Sequence, residues 1–130
     1  MNGTNGESRK FDLMAVGMGV IWGLVVLIGG ALVQTVIGLS SPLSTQTIEI
    51  LTLVWQILAG LLGGMTAARR ADTAGWLHGA VSGAALVLSI AAVMGVAQAL
   101  PTLAVLLKMA GIGVVAGTVG GIAGVNLGRR

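Results

Sequence analysis

Residues 63–83 read GGMTAARRADTAGWLHGAVSG, and the parsing of this stretch decides the fold. Glycines surround two arginines, an Asp, a Trp and the only His of the chain, so the stretch is either a ligand-binding loop or a turn between two apolar walls. A phosphate loop needs a strand, the GxxxxGK[ST] spacing and a helix, and a dinucleotide fingerprint needs GxGxxG between strand and helix. Neither pattern is present. The flanks are instead long apolar runs, which makes the stretch the end of one membrane helix, a short charged turn and the start of the next.

Composition supports that parsing. Of 130 residues, 55% are hydrophobic and 8% charged, with a mean hydropathy of +0.99, whereas about a quarter of an ordinary soluble domain is charged. Working outward from the turn, apolar segments fall at about 13–36, 48–68, 76–98 and 103–127. Each is close to the roughly 20 residues needed to cross a hydrocarbon core about 30 Å thick. The expected fold is all-α: a polytopic membrane protein with four transmembrane helices in one compact bundle spanning 12–130. Residues 1–11 are polar and Gly/Asn-rich and read as a disordered tail.

The basic residues set the expected topology. Arg9 and Lys10, Arg69 and Arg70, and Arg129 and Arg130 fall on one side of a four-span path, while the uncharged segment GLSSPLSTQT (38–47) and the break at 99–102 carry none. By the positive-inside bias both termini are cytoplasmic. The net charge of +3 therefore marks topology and inner-leaflet contact, not nucleic-acid binding. A cleaved signal peptide is the competing reading of the first 35 residues, but the apolar segment is too long for one and no small-x-small cleavage site follows. The absence of cysteine excludes disulfides, thiolate metal sites and cysteine nucleophiles.

The 22 glycines have helical spacing. Gly60, Gly64 and Ala68 stand four apart, as do Gly75, Gly79 and Gly83, Gly113, Gly117 and Gly121, and Gly120, Gly124 and Gly128. In lipid, close backbone approach through small residues is a principal source of helix association. The spacing leaves open whether the partner helix belongs to the same chain or to a second copy. AGLLGGMTA (59–67) also aligns without gaps to AGTVGGIAG (116–124), each soon followed by an arginine pair. Either the chain is a duplicated hairpin with parallel halves, or small residues have recurred for packing.

Polar side chains inside spans are the candidate functional residues, because they are costly in hydrocarbon. Glu49 shares a helix face with Thr52, Gln56 and Gly60, which suggests a proton- or cation-binding site. The plainer reading of Glu49 is an interfacial acid complementing the helix dipole. Lys108 lies about 9 Å into the fourth span at 1.5 Å per residue; it either pairs with Glu49 or, more economically, snorkels to the interface. His78 aligns with Ser82 and Ser89 on the third helix. It lacks a second metal ligand at usable spacing, so no metal and no cofactor are expected, and one interhelical or water-mediated hydrogen bond is its favoured role. Trp76 reads as an interfacial anchor, Arg69 and Arg70 as lipid-facing residues at a helix C-terminus, and Asp72 or Thr73 as the N-cap of the third helix.

The GG pair (Gly63, Gly64), the Ala/Arg-rich turn (67–71) and the Gly-Trp-Leu-His-Gly start of the third helix (75–79), followed by a last helix ending GGIAGVNLG, resemble a family of small four-helix bacterial membrane proteins found mainly in Firmicutes. The resemblance spans the hydrophobic chain, although its specific part is about twenty residues. It implies a bacterial inner-membrane location and supplies no activity and no functional residues. Two functions follow as expectations. The first is a structural, interaction or regulatory component, packing through glycine faces with a second copy or a larger membrane complex. The second is a small oligomeric transporter or channel using Glu49, Thr52 and Gln56. With no paired carboxylates and no recognisable nucleophile motif, the chain is not expected to be an enzyme. Beyond the lipid bilayer and such membrane partners, neither nucleic acid nor soluble nucleotide is expected.

Overall fold

The computed structural model describes residues 11–71 and 74–128. It consists of four helices, α1 (Leu13–Ser40), α2 (Thr45–Ala71), α3 (Gly75–Val96) and α4 (Leu103–Gly128). Each is long and apolar enough to cross a membrane, and the fold is that of a multi-pass membrane protein. The described ends of the chain share one end of the bundle with Arg69 and Arg70. Arg70 there reaches Met14 of α1 at 3.7 Å.

Local chemistry sets the helix ends. Asp12 caps α1, its carboxylate accepting from the amides of Met14 (2.9 Å) and Ala15 (3.1 Å). The uncharged polar residues after 36 do not stop α1, which continues to Ser40 before the Ser41-Pro42 pair, and α2 begins at Thr45 instead of 48. Hydroxyls explain this tolerance. Thr35, Ser40 and Thr52 each donate to the carbonyl four residues earlier, at 2.8, 3.2 and 2.8 Å, so these three hydroxyls are not left bare. Ser44 begins α2 by accepting from the amide of Thr47 at 3.2 Å.

Two helix ends differ from the expectation. The N-cap of α3 is Ala74, in a left-handed conformation (φ 45°) with no side-chain cap; Asp72 and Thr73, the expected caps, lie outside the described residues. α3 stops at Val96 because Gln98 turns left-handed (φ 54°) and the amide of Ala99 bonds back to Met94 at 2.8 Å. This is the reversal commonly found at helix C-termini. Pro101 then prevents continuation.

In cross-section the bundle is a rhombus. α2 and α3 touch along its short diagonal, and both contact α1 on one side and α4 on the other, while α1 and α4 do not meet. Glycine produces the close approaches. Three reciprocal pairs join α3 to α4, Gly75 with Gly121, Gly79 with Gly117 and Gly83 with Gly113, and a Cβ on either member would strike the other's carbonyl oxygen. Such contact lets Cα–H groups meet facing carbonyls and maximises dispersion between backbones. The α1–α2 hairpin is built likewise, with Gly19 against the carbonyl of Gly63 and Gly23 against that of Ala59.

The internal repeat has a structural counterpart. The two copies pack side by side between the parallel helices α2 and α4, with Gly60 on Ala116, Gly120 on Leu61 and Gly124 on Met65. Moving the α1–α2 pairs 19·63 and 23·59 along by 57 residues, the separation of residues 59 and 116, gives 76·120 and 80·116. That is the axial register of the pairs 75·121 and 79·117, rotated by one residue. The hairpins therefore share a register, as duplicated hairpins would. Their assembly is not two-fold, because a two-fold exchange would map the α2·α3 contact onto α1·α4, where none exists.

Gly79→Ala and Gly17→Ala separate packing from helix propensity. The first drives a methyl into the backbone of α4, while nothing lies within 4 Å of a Cβ on the second. Thermal unfolding in detergent is expected to show a loss of about 1–3 kcal/mol for Gly79→Ala. Gly17→Ala should be neutral, or up to about 1 kcal/mol stabilising.

Candidate functional site

The polar residues singled out from the sequence lie in three different settings. Glu49 and Lys108 are both exposed, in the second turns of α2 and α4 at the end of the bundle away from Arg69 and Arg70. Among the described residues no ion pair joins them. Thr52 is exposed as well, and of the Glu49, Thr52 and Gln56 face only Gln56 is buried. Trp76 is exposed at the start of α3, and Arg69 and Arg70 are exposed in the last turn of α2. Arg9, Lys10, Arg129 and Arg130 lie outside the described residues.

His78 ties the end of the bundle where the described residues begin and end. It is only 2% exposed, and both ring nitrogens are engaged. Nδ1 donates to the carbonyl of Ala74 at 3.2 Å, and Nε2 accepts from the backbone amide of Asp12 at 3.1 Å. A carbonyl can only accept and an amide N–H can only donate, so this geometry holds the neutral Nδ1–H tautomer. Phe11 stacks on the imidazole with ring centroids 4.9 Å apart and planes 12° from parallel. The side chain of Asp12 meanwhile caps α1. One imidazole thus fastens the first turn of α1 to the first turn of α3, 66 residues later. Ser82 is buried on the same face, with its Oγ where a Cβ on Gly19 would sit, whereas Ser89 bonds its own helix through Ala85 at 2.8 Å. No group of three or more His, Cys, Asp or Glu able to hold a metal occurs among the described residues.

The second site lies in the opposite half. Beyond Gly23 and Leu86, the last small-residue contact between α1 and α3, the helices enclose a cleft of about 780 Å³. Leu24, Leu27 and Ile28 of α1 and Ile90, Val93 and Met94 of α3 form its walls, and Thr52, Trp55 and Gln56 of α2 lie between them. Trp55 packs its ring on Gly30, which fills part of the gap. Gln56 is 7% exposed and donates from Nε2 to the carbonyl of Met109 in α4 at 2.9 Å. Gln34 of α1 spans to α2, its Nε2 lying 3.4 Å from the Thr52 hydroxyl and 3.5 Å from the Ile48 carbonyl.

Sequence reasoning turned Glu49, Thr52 and Gln56 together into the bundle, which holds for Gln56 but not for the exposed Glu49 and Thr52, and missed Gln34, Phe11 and Asp12. Gln34 carried a usable signal, being a carboxamide within an apolar run. Asp12 carried one too, as an acid just before the first apolar residue. Nothing local pairs the amide of Asp12 with His78.

His78→Phe keeps a stacking ring and removes both hydrogen bonds. Amide exchange at Asp12 is expected to quicken about tenfold, the loss of one bond of roughly 1.4 kcal/mol. Ser82→Ala on the same face should leave it unchanged. Unaltered exchange at Asp12 in His78→Phe would contradict the tie.

No curated protein and no solved structure was found to match the chain. The family model described as Protein of unknown function (DUF3792) matches residues 12–124, a range that takes in all four helices as far as Gly124. It starts at the Asp12 cap, and the chain belongs to this family.

Proposed function

We propose that the protein is a non-catalytic component of the bacterial cytoplasmic membrane, with both termini cytoplasmic, that works by associating with a second copy or with a larger membrane complex. The observation that carries this reading is how the ionisable side chains are used. His78 is engaged on both nitrogens in holding α1 to α3, and Glu49 and Lys108 stand apart and exposed. No described acid, base and nucleophile converge on one point, which supports a non-enzymatic role. Apart from Gly128, the glycine faces that suggested association from the sequence are occupied within the chain. Association therefore uses the outward faces of α1 and α4, at opposite corners of the rhombus, where Gly17 and Gly111 have nothing within 4 Å of a Cβ. Transport through a Glu49, Thr52 and Gln56 path is less well supported, since Thr52 and Gln56 line the cleft while Glu49 is exposed and does not.

The chain lacks cysteine, so single cysteines test the orientation directly. A membrane-impermeant maleimide on intact cells is expected to label Ser41→Cys and to spare Ser8→Cys until the cells are opened; the reverse pattern overturns the orientation. For association, photocrosslinkers at Ile21 of α1 and Val115 of α4 in native membranes should give a discrete adduct heavier than the 12.9 kDa chain. Free monomer at both positions would remove the interaction reading.

A further inference from the structure

We propose that the cleft between α1 and α3 is a binding site for a neutral lipid bearing a free hydroxyl, the chemistry of a diacylglycerol, taken laterally from the bilayer. Size and lining come first. A volume of about 780 Å³ lies within the range of about 300–1,000 Å³ usual for small-molecule sites. Apart from two carboxamides and two threonine hydroxyls the walls are almost wholly apolar, and no charged side chain lines them. An anionic headgroup would find no cation. An apolar chain finds Leu24, Leu27, Ile90 and Val93, and Ile28 and Val93 are 61% and 68% exposed, so the cleft communicates with the surrounding hydrocarbon.

The hydroxyl requirement comes from Gln56. Its nitrogen is committed to the Met109 carbonyl, which fixes the orientation of the amide and leaves Oε1 as the free end. Among the described residues no donor reaches Oε1, and none of their fully buried side-chain oxygens lacks a partner, so Oε1 keeps accessible surface on a residue that lines the cleft. Gln34 repeats the pattern, with its nitrogen turned to Thr52 and Ile48 and its oxygen left over. Two carboxamides that line the cleft thus each keep an oxygen with no donor among the described residues. Gln56 lies 11 residues into α2, about 16 Å from the helix start at 1.5 Å per residue, a depth where water is scarce. An all-hydrocarbon occupant would leave the Gln56 oxygen unpaired, which is costly. A hydroxyl donates to it and satisfies it. The Gln56 and Gln34 oxygens are therefore the acceptors that distinguish a hydroxyl-bearing lipid from bulk acyl chains.

Trp55 lines the cleft and serves as the reporter. In Trp22→Phe/Trp76→Phe protein it is the one tryptophan left. This protein is reconstituted in phosphatidylglycerol bilayers containing a small mole fraction of a diacylglycerol brominated on both chains. Strong quenching of Trp55 is expected, with much weaker quenching by the same mole fraction of brominated phosphatidylglycerol or of the diacylglycerol with its hydroxyl acetylated. Gln56→Leu should raise the concentration for half-quenching about tenfold, and Ala31→Phe, at an exposed position on the cleft wall, should abolish the quenching. Equal quenching by all three brominated lipids, no quenching by the diacylglycerol, or quenching unchanged in Ala31→Phe overturns the proposal. Should Gln56→Leu fail to fold, Gln34→Leu is expected to shift half-quenching in the same direction, and no shift counts against the site.

Discussion

The close approach of helix backbones is the constraint on which the rest of this structure depends. In a bilayer, apolar side chains gain little by leaving lipid for one another, so association must come from contact close enough for dispersion and weak Cα–H···O interactions to add up. Glycine allows that contact. Along α3 and α4 the reciprocal pairs at 75·121, 79·117 and 83·113 bring carbonyls to where side chains would stand. Replacing any of them changes the spacing of two helices at once. The α1–α2 hairpin uses the same device through Gly19 and Gly63, and the parallel contact between α2 and α4 uses it through Gly60, Gly120 and Gly124.

The cleft is the complement of this rule. The glycines of α1 that meet α3 are Gly19 and Gly23, near the end that also holds the His78 tie. Farther along, α1 turns Gly30 toward the Trp55 ring, and the remaining space is bounded by leucines, isoleucines and carboxamides. The molecule thus divides into a half closed by glycine and one imidazole and a half left partly open, with Gln56 bridging to α4 at the boundary. That division, more than any single residue, sets where the proposed lipid site lies.

Much of this was legible in the sequence, and the reasons are physical. Four long apolar runs admit little besides four spanning helices, and four-residue glycine spacing marks packed faces whoever the partner is. That the partner lies within the same chain was not legible, because spacing on one helix is silent about which helix faces it. Helix ends were misread where uncharged hydroxyl residues carry α1 to Ser40 and start α2 at Thr45; a hydroxyl bonded to its own helix carbonyl behaves in lipid much like an apolar side chain. For His78 the sequence suggested one interhelical or water-mediated hydrogen bond without naming a partner. Its partner is a backbone amide 66 residues away, and no side-chain pattern can announce a backbone donor. Gln56 was recognised from its helical face, while Gln34 was overlooked although a carboxamide in an apolar run signals a partner or a site.

The central claim is that the glycine faces close on each other inside one chain. Because that chain contains no cysteine, a Gly60→Cys/Ala116→Cys protein oxidised in native membranes tests it most directly; a Cβ on Gly60 lies 2.8 Å from that of Ala116, so a small shift gives disulfide geometry. The account predicts a bond within the monomer, seen as a cross-linked peptide pair in a species of unchanged mass, and no dimer from either single-cysteine protein. Disulfide-linked dimers from the pair and from the single variants, with no internal bond, would contradict it.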